Sequence, residues 1–248
     1  MECISRKKRI KGNIKLRKVM TKPVCIIPAR GGSKSVPKKN IRLIAGKPLI
    51  YYTIKSALES KIFSHVIVST EDKKIASIAK KYGAEVPFMR PKNLATDKAA
   101  MEPVLLHAIK KLNSLGIYFE IFVCRDCTCP FIDASDMKGA IELFKKSDCY
   151  STYASVKAHP SPYFEMWEPN KDGFLEISKT TNKIIHRRQD APIVYTIVGL
   201  GVYQTKKFLK IRKCQAGKML PYEITKEHSH MIDFEFDFKV AELLLKNG

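Results

Sequence analysis

Apolar residues along this chain form short continuous runs that alternate with longer amphipathic stretches. The runs predict buried strands at residues 23–28, 65–69, 84–88, 118–124, 150–156, 196–203 and 230–234. The stretches with helical spacing predict helices over residues 48–60, 72–82, 99–115, 135–146 and 235–246. Because strand and helix follow one another in this way, we expect an α/β fold with a mostly parallel sheet flanked by helices.

The alternation breaks in residues 159–192, a segment rich in proline, asparagine, lysine and aromatic residues. The sequence Asn-Lys-Asp-Gly at residues 170–173 is typical of a tight turn and predicts a small antiparallel pair of strands around it. We interpret the segment as an inserted arm that contacts a second subunit, and the alternative is a long surface loop. The expected organisation is therefore a basic tail at residues 1–20 and one domain at residues 21–248.

The composition is that of a globular chain large enough for one substantial core, with 248 residues of which 45% are apolar. No apolar run is long enough to cross a bilayer and no secretory signal follows the basic start, so we expect a cytoplasmic protein without a membrane partner. The seven cysteines are an odd number, which also favours a reducing compartment. Cys124, Cys127 and Cys129 lie close together without a fourth ligand at a usual zinc spacing, so we interpret them as buried thiols.

The formal net charge of the chain is +21, and part of this charge is local. Residues 1–20 hold eight lysines and arginines against one glutamate, with little apolar periodicity. We interpret this segment as a solvated, mobile extension rather than as a patch for nucleic acid or a membrane surface. The rest of the chain is still basic, which suits an anionic substrate without identifying it.

The loop after the first predicted strand, residues 29–40, has the sequence A-R-G-G-S-K-S-V-P-K-K-N. Ligands of open α/β sheets bind beyond the carboxyl ends of the strands, where this loop would lie. Gly31 and Gly32 allow backbone N–H groups to approach an anion, and Ser33 adds a hydroxyl donor. The loop also supplies the cations Arg30, Lys34, Lys38 and Lys39. Amides and cations together suit a triphosphate, although the loop matches neither the Walker A nor the G-x-G-x-x-G pattern.

The wider pattern around this loop resembles a known family. The sequence IPARGGSKSVPKKNI, followed by GKPLIYYTI, is similar to the N-terminal signature of the acylneuraminate cytidylyltransferases, also called CMP-N-acetylneuraminate synthetases. Further segments resemble that family in the same order: VIVSTED, RPKNLATDKA, CTCPFIDASDM, HRRQDAPIVY and IDFEFDFKVAE. The resemblance runs from about residue 23 to the C-terminus.

This resemblance implies a Rossmann-like nucleotidyltransferase fold, a homodimer, and a Mg²⁺-dependent reaction of CTP with an acidic nine-carbon sugar to give a CMP-sugar and pyrophosphate. It places the triphosphate on Arg30, Ser33, Lys34, Lys39 and Asn40. Arg90 and the backbone near Ala99 would recognise cytosine, while Asp126 and Thr128 would face the sugar. Contacts to the sugar or a phosphate, within the chain or across the dimer, are implied for Arg187, Arg188 and Gln189.

Two acids near the C-terminus, Asp233 and Glu235, are implied as ligands of Mg²⁺, with Glu235 in place of the family's second aspartate. Mg²⁺ prefers oxygen ligands from one or two carboxylates, and side chains two positions apart on a strand project to the same face. The alternative is a pair of solvent-facing acids at the start of a helix, where the helix dipole favours them. We favour the metal site, and we predict Arg30, Lys39 and Asp233 as the catalytic residues.

The match departs from the family mainly on the side of the sugar. Asp126 and Cys127 stand where the family has Gln-Pro, and Ile132 stands in place of an arginine. These changes favour a sugar acid other than N-acetylneuraminate, such as a legionaminic or pseudaminic acid. Two alternatives stay open, namely a cytidylyltransferase for an eight-carbon keto-sugar acid and, from the charge alone, a nucleic-acid-binding protein. The second lacks any helix-turn-helix, zinc-finger or RNP pattern.

Overall fold

The computed structural model describes residues 22–33 and 35–247, so the predicted tail at residues 1–20 and Lys34 lie outside the described part of the chain. The strands, in chain order, are β1 (Val24–Pro28), β2 (Leu43–Ile44), β3 (Lys47–Pro48), β4 (His65–Ser69), β5 (Ile121–Arg125), β6 (Ser151–Lys157), β7 (Trp167–Pro169), β8 (Leu175–Ile177), β9 (Tyr195–Gln204) and β10 (Met219–Glu223). The α-helices are α1 (Leu49–Glu59), α2 (Lys73–Lys81), α3 (Met101–Ser114), α4 (Ala134–Lys146), α5 (Thr205–Ile211) and α6 (Glu235–Asn247).

Six strands form the central sheet, in the order β10-β6-β9-β5-β1-β4. β1 is parallel to β4 and β5, β10 is parallel to β6, and β9 alone is antiparallel to its neighbours β5 and β6. β9 is reversed because the chain leaves β6 into the arm and returns beside it, as in a hairpin with a long connection. The prediction of a mostly parallel sheet is confirmed.

Helices cover both faces of this sheet. Successive residues of β1 point to opposite faces, as a strand requires, with Cys25 and Ile27 in one core and Val24 and Ile26 in the other. The first core is closed by α1, α2 and α4, and the second by α3 and α5. A third, smaller core joins the loop after β1 to the C-terminal segment through Val36, Ile44, Leu49, Ile232, Phe238 and Ala241. None of the helices described here is long and apolar enough to cross a membrane.

Two of the predicted strands are wrong. Residues 84–88 make only a single parallel bridge, between Glu85 and Ile67, before the chain turns away. Residues 230–234 form no strand, because the Asp237 carboxylate accepts hydrogen bonds from the backbone N–H groups of Asp233 and Phe234 at the start of α6. These N–H groups are therefore bonded to a side chain in the first turn of α6 rather than to a neighbouring strand. The strands β2, β3 and β10 and the helix α5 were not predicted, and β10 carries Pro221 at the edge of the sheet, where proline is tolerated.

The arm contains the antiparallel pair that its turn sequence predicted. β7 and β8 pair around a turn in which the Asn170 side chain accepts hydrogen bonds from the N–H groups of Asp172 and Phe174. Gly173 has a φ of +86°, a conformation that glycine adopts without the clash of a side chain. The arm and its flanks expose several large apolar side chains, namely Met166, Trp167, Phe174, Leu175, Ile184 and Ile193.

Candidate active site

A cleft of about 540 Å³ opens at the carboxyl edge of the sheet. It lies where β1, β4 and β5 end together, because parallel neighbours deliver their following loops to one edge. Its walls come from the loop after β1, from residues 90–104, from the loop after β5, and from Asp233 near the C-terminus. The predicted site residues that line this cleft are Arg30, Gly32, Ser33, Lys39, Asn40, Arg90, Ala99, Asp126, Thr128 and Asp233.

The loop after β1 is held in shape by its own side chains. The Asn40 amide donates a 2.9 Å hydrogen bond to the carbonyl of Arg30, which closes the loop across its base. Val36 is fully buried in the third core and anchors the middle of the loop. Lys38 takes a left-handed conformation with a φ of +53°, and the 3₁₀ turn of Lys39–Ile41 follows it. These constraints fix where Lys39 leaves the backbone.

Lys39 lies beside Asp233 although the two residues are far apart in the sequence. The link between them is the peptide of Ile232, which is 193 positions from Lys39. The Lys39 ammonium donates a 2.6 Å hydrogen bond to the carbonyl of Ile232 and lies 3.5 Å from an oxygen of Asp233. The N–H of Ile232 donates to the carbonyl of Thr128 at 2.8 Å. The backbone groups of Ile232 therefore link the loop after β1, the loop after β5 and the C-terminal segment.

The two arginines that line the cleft, Arg30 and Arg90, differ in burial. Arg90 is only 5% exposed, and its guanidinium donates to Glu71 at 2.8 Å. The Arg30 guanidinium is partly exposed and lies 2.8 Å from the carboxylate of Asp97. Arg90 is thus fixed by the protein, whereas Arg30 presents its charge at the cleft surface.

Arg125 is a residue of this region that the sequence analysis missed. It is fully buried at the end of β5, and its guanidinium donates to four backbone carbonyls, those of Asp126, Cys129, Ile132 and Gly199. These bonds shape the loop after β5 from beneath. A cation that ends an otherwise apolar strand, in the sequence IFVCR, was the available signal, because arginine is rarely fully buried without partners.

The carboxylates of the cleft suit a hard divalent cation. Burial raises the pKa of Asp126, the charges of Arg125 and Lys39 lower it, and the negative charge of Asp233 raises it again. Two carboxylates that repel each other at the mouth of a cleft form an oxygen donor set of the kind that Mg²⁺ prefers. The donor groups present therefore fit such an ion.

Glu235 does not lie where a ligand of a metal ion in this cleft was expected. Its carboxylate lies 2.5 Å from the guanidinium of Arg42, and it is absent from the lining of the cleft. The expectation that Asp233 and Glu235 share a strand face is wrong, because α6 begins at Glu235 and changes the direction of its side chain. Asp126, rather than Glu235, lines the cleft together with Asp233, and Asp97 is a further carboxylate of its lining.

The structure does not bring Arg187, Arg188 and Gln189 into this cleft. All three are exposed on the arm, around the 3₁₀ turn of Arg188–Asp190. Arg187 pairs with Asp190 at 2.8 Å, and Arg188 contacts Glu165 and His159. Local ion pairs hold these arginines to the arm itself, so a contact with a substrate across a dimer stays a prediction.

The cysteines near the cleft are buried thiols, as predicted. Cys124, Cys127 and Cys129 are at most 7% exposed, and burial raises the pKa of Cys127 to about 12. A thiol with that pKa is protonated and unreactive at neutral pH.

Within the part of the chain that the structure describes, one group of three side chains could hold a metal elsewhere, formed by Asp133, Asp136 and His228. Asp133 and Asp136 already form the capping box of α4, and His228 bonds Asp136 at 2.7 Å. The helix cap accounts for these contacts.

Comparison with known proteins identifies the family. The family model described as Cytidylyltransferase matches residues 24–246. The chain belongs to the cytidylyltransferase family. It is 35% identical over 229 residues to a CMP-N,N'-diacetyllegionaminic acid synthase of Campylobacter jejuni, covering 91% of this chain and 96% of that relative. It is 42% identical over 136 residues to a pseudaminic acid cytidylyltransferase of the same species, covering 55% of this chain and 59% of the relative.

A solved structure has the same fold as this cytidylyltransferase. The CMP:2-keto-3-deoxy-manno-octonic acid synthetase in complex with CTP superposes with a TM-score of 0.69 and covers 92% of this chain and 99% of its own. The two sequences are 16% identical, so the likeness extends to the fold alone. It confirms the predicted Rossmann-like nucleotidyltransferase architecture.

Proposed function

We propose that this cytidylyltransferase transfers the CMP group of CTP to the anomeric hydroxyl of a nonulosonic acid, with Mg²⁺, and releases pyrophosphate. The observation that carries the proposal is the shared cleft, in which the Lys39 ammonium lies 3.5 Å from the Asp233 carboxylate. A polyphosphate needs cations and amides, and a divalent ion needs carboxylates, so one reaction centre requires both in one place.

In the proposed mechanism the sugar hydroxyl attacks the α-phosphorus in line as the bond to pyrophosphate breaks. The protein has little covalent work in such a transfer, so positioning and charge compensation dominate. Arg30, Ser33 and Lys39 would hold the phosphates and offset the charge that develops on pyrophosphate. Arg90 and the backbone near Ala99, which line the same cleft, would bind cytosine.

The magnesium ion would be held by Asp233, with Asp126 as the second carboxylate in place of Glu235. When bound, it would supply positive charge to the phosphate oxygens during the transfer. This assignment rests on the position of both acids in the cleft and on their mutual electrostatic influence.

For the sugar we propose a pseudaminic- or legionaminic-type acid rather than N-acetylneuraminate. Two relatives whose names contain these sugars share 35–42% of the aligned residues with this chain. The sugar side supports the same choice, because Cys127, which departs from the family pattern, lines the cleft beside Thr128. The eight-carbon alternative has weaker support, since the relative of that kind shares the fold at 16% identity.

We also propose that the arm makes the enzyme a homodimer in the cytoplasm. The arm exposes Trp167, Phe174 and Leu175, which are 55%, 72% and 67% accessible in the single chain. Such apolar surface favours a protein partner, and a second copy would also bring Arg188 near another cleft. The nucleic-acid alternative depends on charge alone, and the basic residues 1–20 fall outside the matched residues 24–246.

The test is pyrophosphate release from CTP and Mg²⁺ with a panel of nonulosonic acids, for the wild type and Asp233→Ala. We expect release with a pseudaminic or legionaminic acid and near-complete loss in Asp233→Ala with an unchanged thermal midpoint. Asp148→Ala, at an exposed acid, is the matched control and should behave as the wild type. Wild-type turnover by Asp233→Ala would remove the metal assignment, and a clear preference for N-acetylneuraminate would contradict the sugar assignment.

A further inference from the structure

We propose that Glu71 is a positioning residue that holds Arg90 in a fixed place relative to the loop after β1. Its carboxylate joins the loop that would hold the phosphates to the arginine that would recognise cytosine, so the inference rests on the proposed function. Glu71 does not line the cleft and touches no reacting atom, which separates its role from that of Lys39 or Asp233.

The two oxygens of Glu71 bind one partner each. One accepts a 2.7 Å hydrogen bond from the backbone N–H of Gly31, within the loop after β1. The other accepts a 2.8 Å hydrogen bond from the guanidinium of Arg90. The side chains of Glu71 and Arg90 are only 14% and 3% exposed, so water competes little for either bond.

The residues beside Glu71 support the same link. The carbonyl of Thr70 accepts from the backbone N–H of Arg90 at 2.8 Å. Asp72 lies directly against Gly31, where an added Cβ would come within 2.6 Å of the Asp72 carboxylate. Residues 70–72, which follow β4, thus contact both the loop after β1 and Arg90.

The chemistry of the link requires a carboxylate. Gly31 and Arg90 both present donors, and a carboxylate offers two acceptors to satisfy them. A glutamine has nearly the same shape but one acceptor and one donor, so Glu71→Gln must lose one of the two bonds. It also leaves the buried charge of Arg90 without its counter-charge in the described part of the chain.

The experiment measures KM and kcat for CTP and UTP by pyrophosphate release, for the wild type, Glu71→Gln and a control. Glu85→Gln is the matched control, because Glu85 is half exposed and pairs with His65 at the surface. For Glu71→Gln we expect the KM for CTP to rise about tenfold with a smaller change in kcat. We also expect the preference for CTP over UTP to narrow, since Arg90 is no longer fixed.

Both the KM and the CTP-to-UTP ratio of Glu71→Gln within twofold of the wild type would overturn the proposal. A lowered thermal midpoint with an unchanged ratio would also overturn it, because that result describes a purely structural residue. Should Glu71→Gln fail to fold, Glu71→Asp keeps both acceptors at a shorter reach, and the same two measurements decide. If the wild type releases no pyrophosphate with any sugar, the proposed function fails, and calorimetric affinities for CTP and UTP still test Glu71.

Discussion

The cleft and the arm use the same types of residue in opposite ways. In the cleft, Lys39 is bound to the carbonyl of Ile232, 193 positions away, and Arg90 is bound to Glu71 after β4, both through buried or half-buried bonds. On the arm, Arg187 pairs with Asp190 three positions away, and its apolar neighbours stay exposed. The cleft residues are therefore fixed by other segments of the fold, whereas the charges of the arm pair only within the arm. Four predictions test this contrast.

The largest effect is expected at the centre of the cleft. Lys39→Met removes the cation that we propose binds the phosphates, together with its hydrogen bond to the carbonyl of Ile232 beside Asp233. We expect kcat for pyrophosphate release to fall about 10²- to 10³-fold. Lys55→Met is the control, because Lys55 lies outside the cleft and makes surface contacts, a pair with Glu59 at 3.8 Å and a position 5.9 Å from the centre of the Tyr51 ring. A loss of less than about threefold in Lys39→Met would mean that the cleft residues are not preorganised for catalysis.

A second test compares a buried arginine with an exposed one. Arg125→Met removes a donor from four backbone carbonyls, of which that of Gly199 keeps a hydrogen bond from the N–H of Asp126, and we expect the free energy of unfolding to fall by about 3 kcal/mol. Arg187→Met breaks a surface pair and should change that free energy by less than about 0.5 kcal/mol. Urea unfolding of both variants measures the difference. Equal changes in the free energy of unfolding would show that the burial of an arginine does not set its contribution to stability in these two regions.

Neighbouring glycines of the loop after β1 give a smaller and sharper comparison. A Cβ on Gly31 would displace Asp72, which caps α2, so Gly31→Ala should lower the free energy of unfolding by about 1 kcal/mol. A Cβ on Gly32 meets nothing within 4 Å, so Gly32→Ala should leave stability unchanged. Thermal unfolding checks both. Unchanged stability with a lost affinity for CTP in Gly32→Ala would place the phosphates directly against that residue.

The smallest effect on the single chain is expected on the arm. Leu175→Lys adds a charge to an exposed apolar surface and should change the free energy of unfolding of an isolated protomer by less than about 0.5 kcal/mol. If the arm is a dimer contact, light scattering should show a mass near that of one chain for the variant and of two for the wild type. Lys171→Leu, at the exposed turn, is the reverse control and should leave the mass unchanged. An unchanged mass in Leu175→Lys would remove the arm from the interface.

Much of the fold was predictable because local periodicity is strong. The helices over residues 49–59, 73–81, 101–114 and 134–146 differ from their predicted bounds by a few residues. The strand at residues 84–88 failed because its apolar run ends in a bridge, and that at residues 230–234 failed because Asp237 takes its N–H groups. The pattern of apolar residues does not show which hydrogen-bond partner a backbone N–H or carbonyl group has in the fold.

The residues of the site also divide into those that sequence motifs predicted and those that they did not. Arg30, Lys39 and Asp233 could be named from motifs, and the fold brings all three to one cleft. Glu71 and Arg125 were not found, because their partners include backbone groups from distant segments that no sequence pattern marks. Glu235 was assigned to the metal from a spacing of two, but the start of α6 turns its carboxylate to Arg42.

The sequence by itself determined the α/β alternation, the basic loop after the first strand and the acids near the C-terminus, because each depends on residues close together in the chain. The packing of separate segments determines that Ile232 joins Lys39 to the loop after β5, and that Asp126, rather than Glu235, lines the cleft with Asp233. Contacts of that kind depend on the three-dimensional register of separate loops. That register is set by the sheet and the third core rather than by any local pattern.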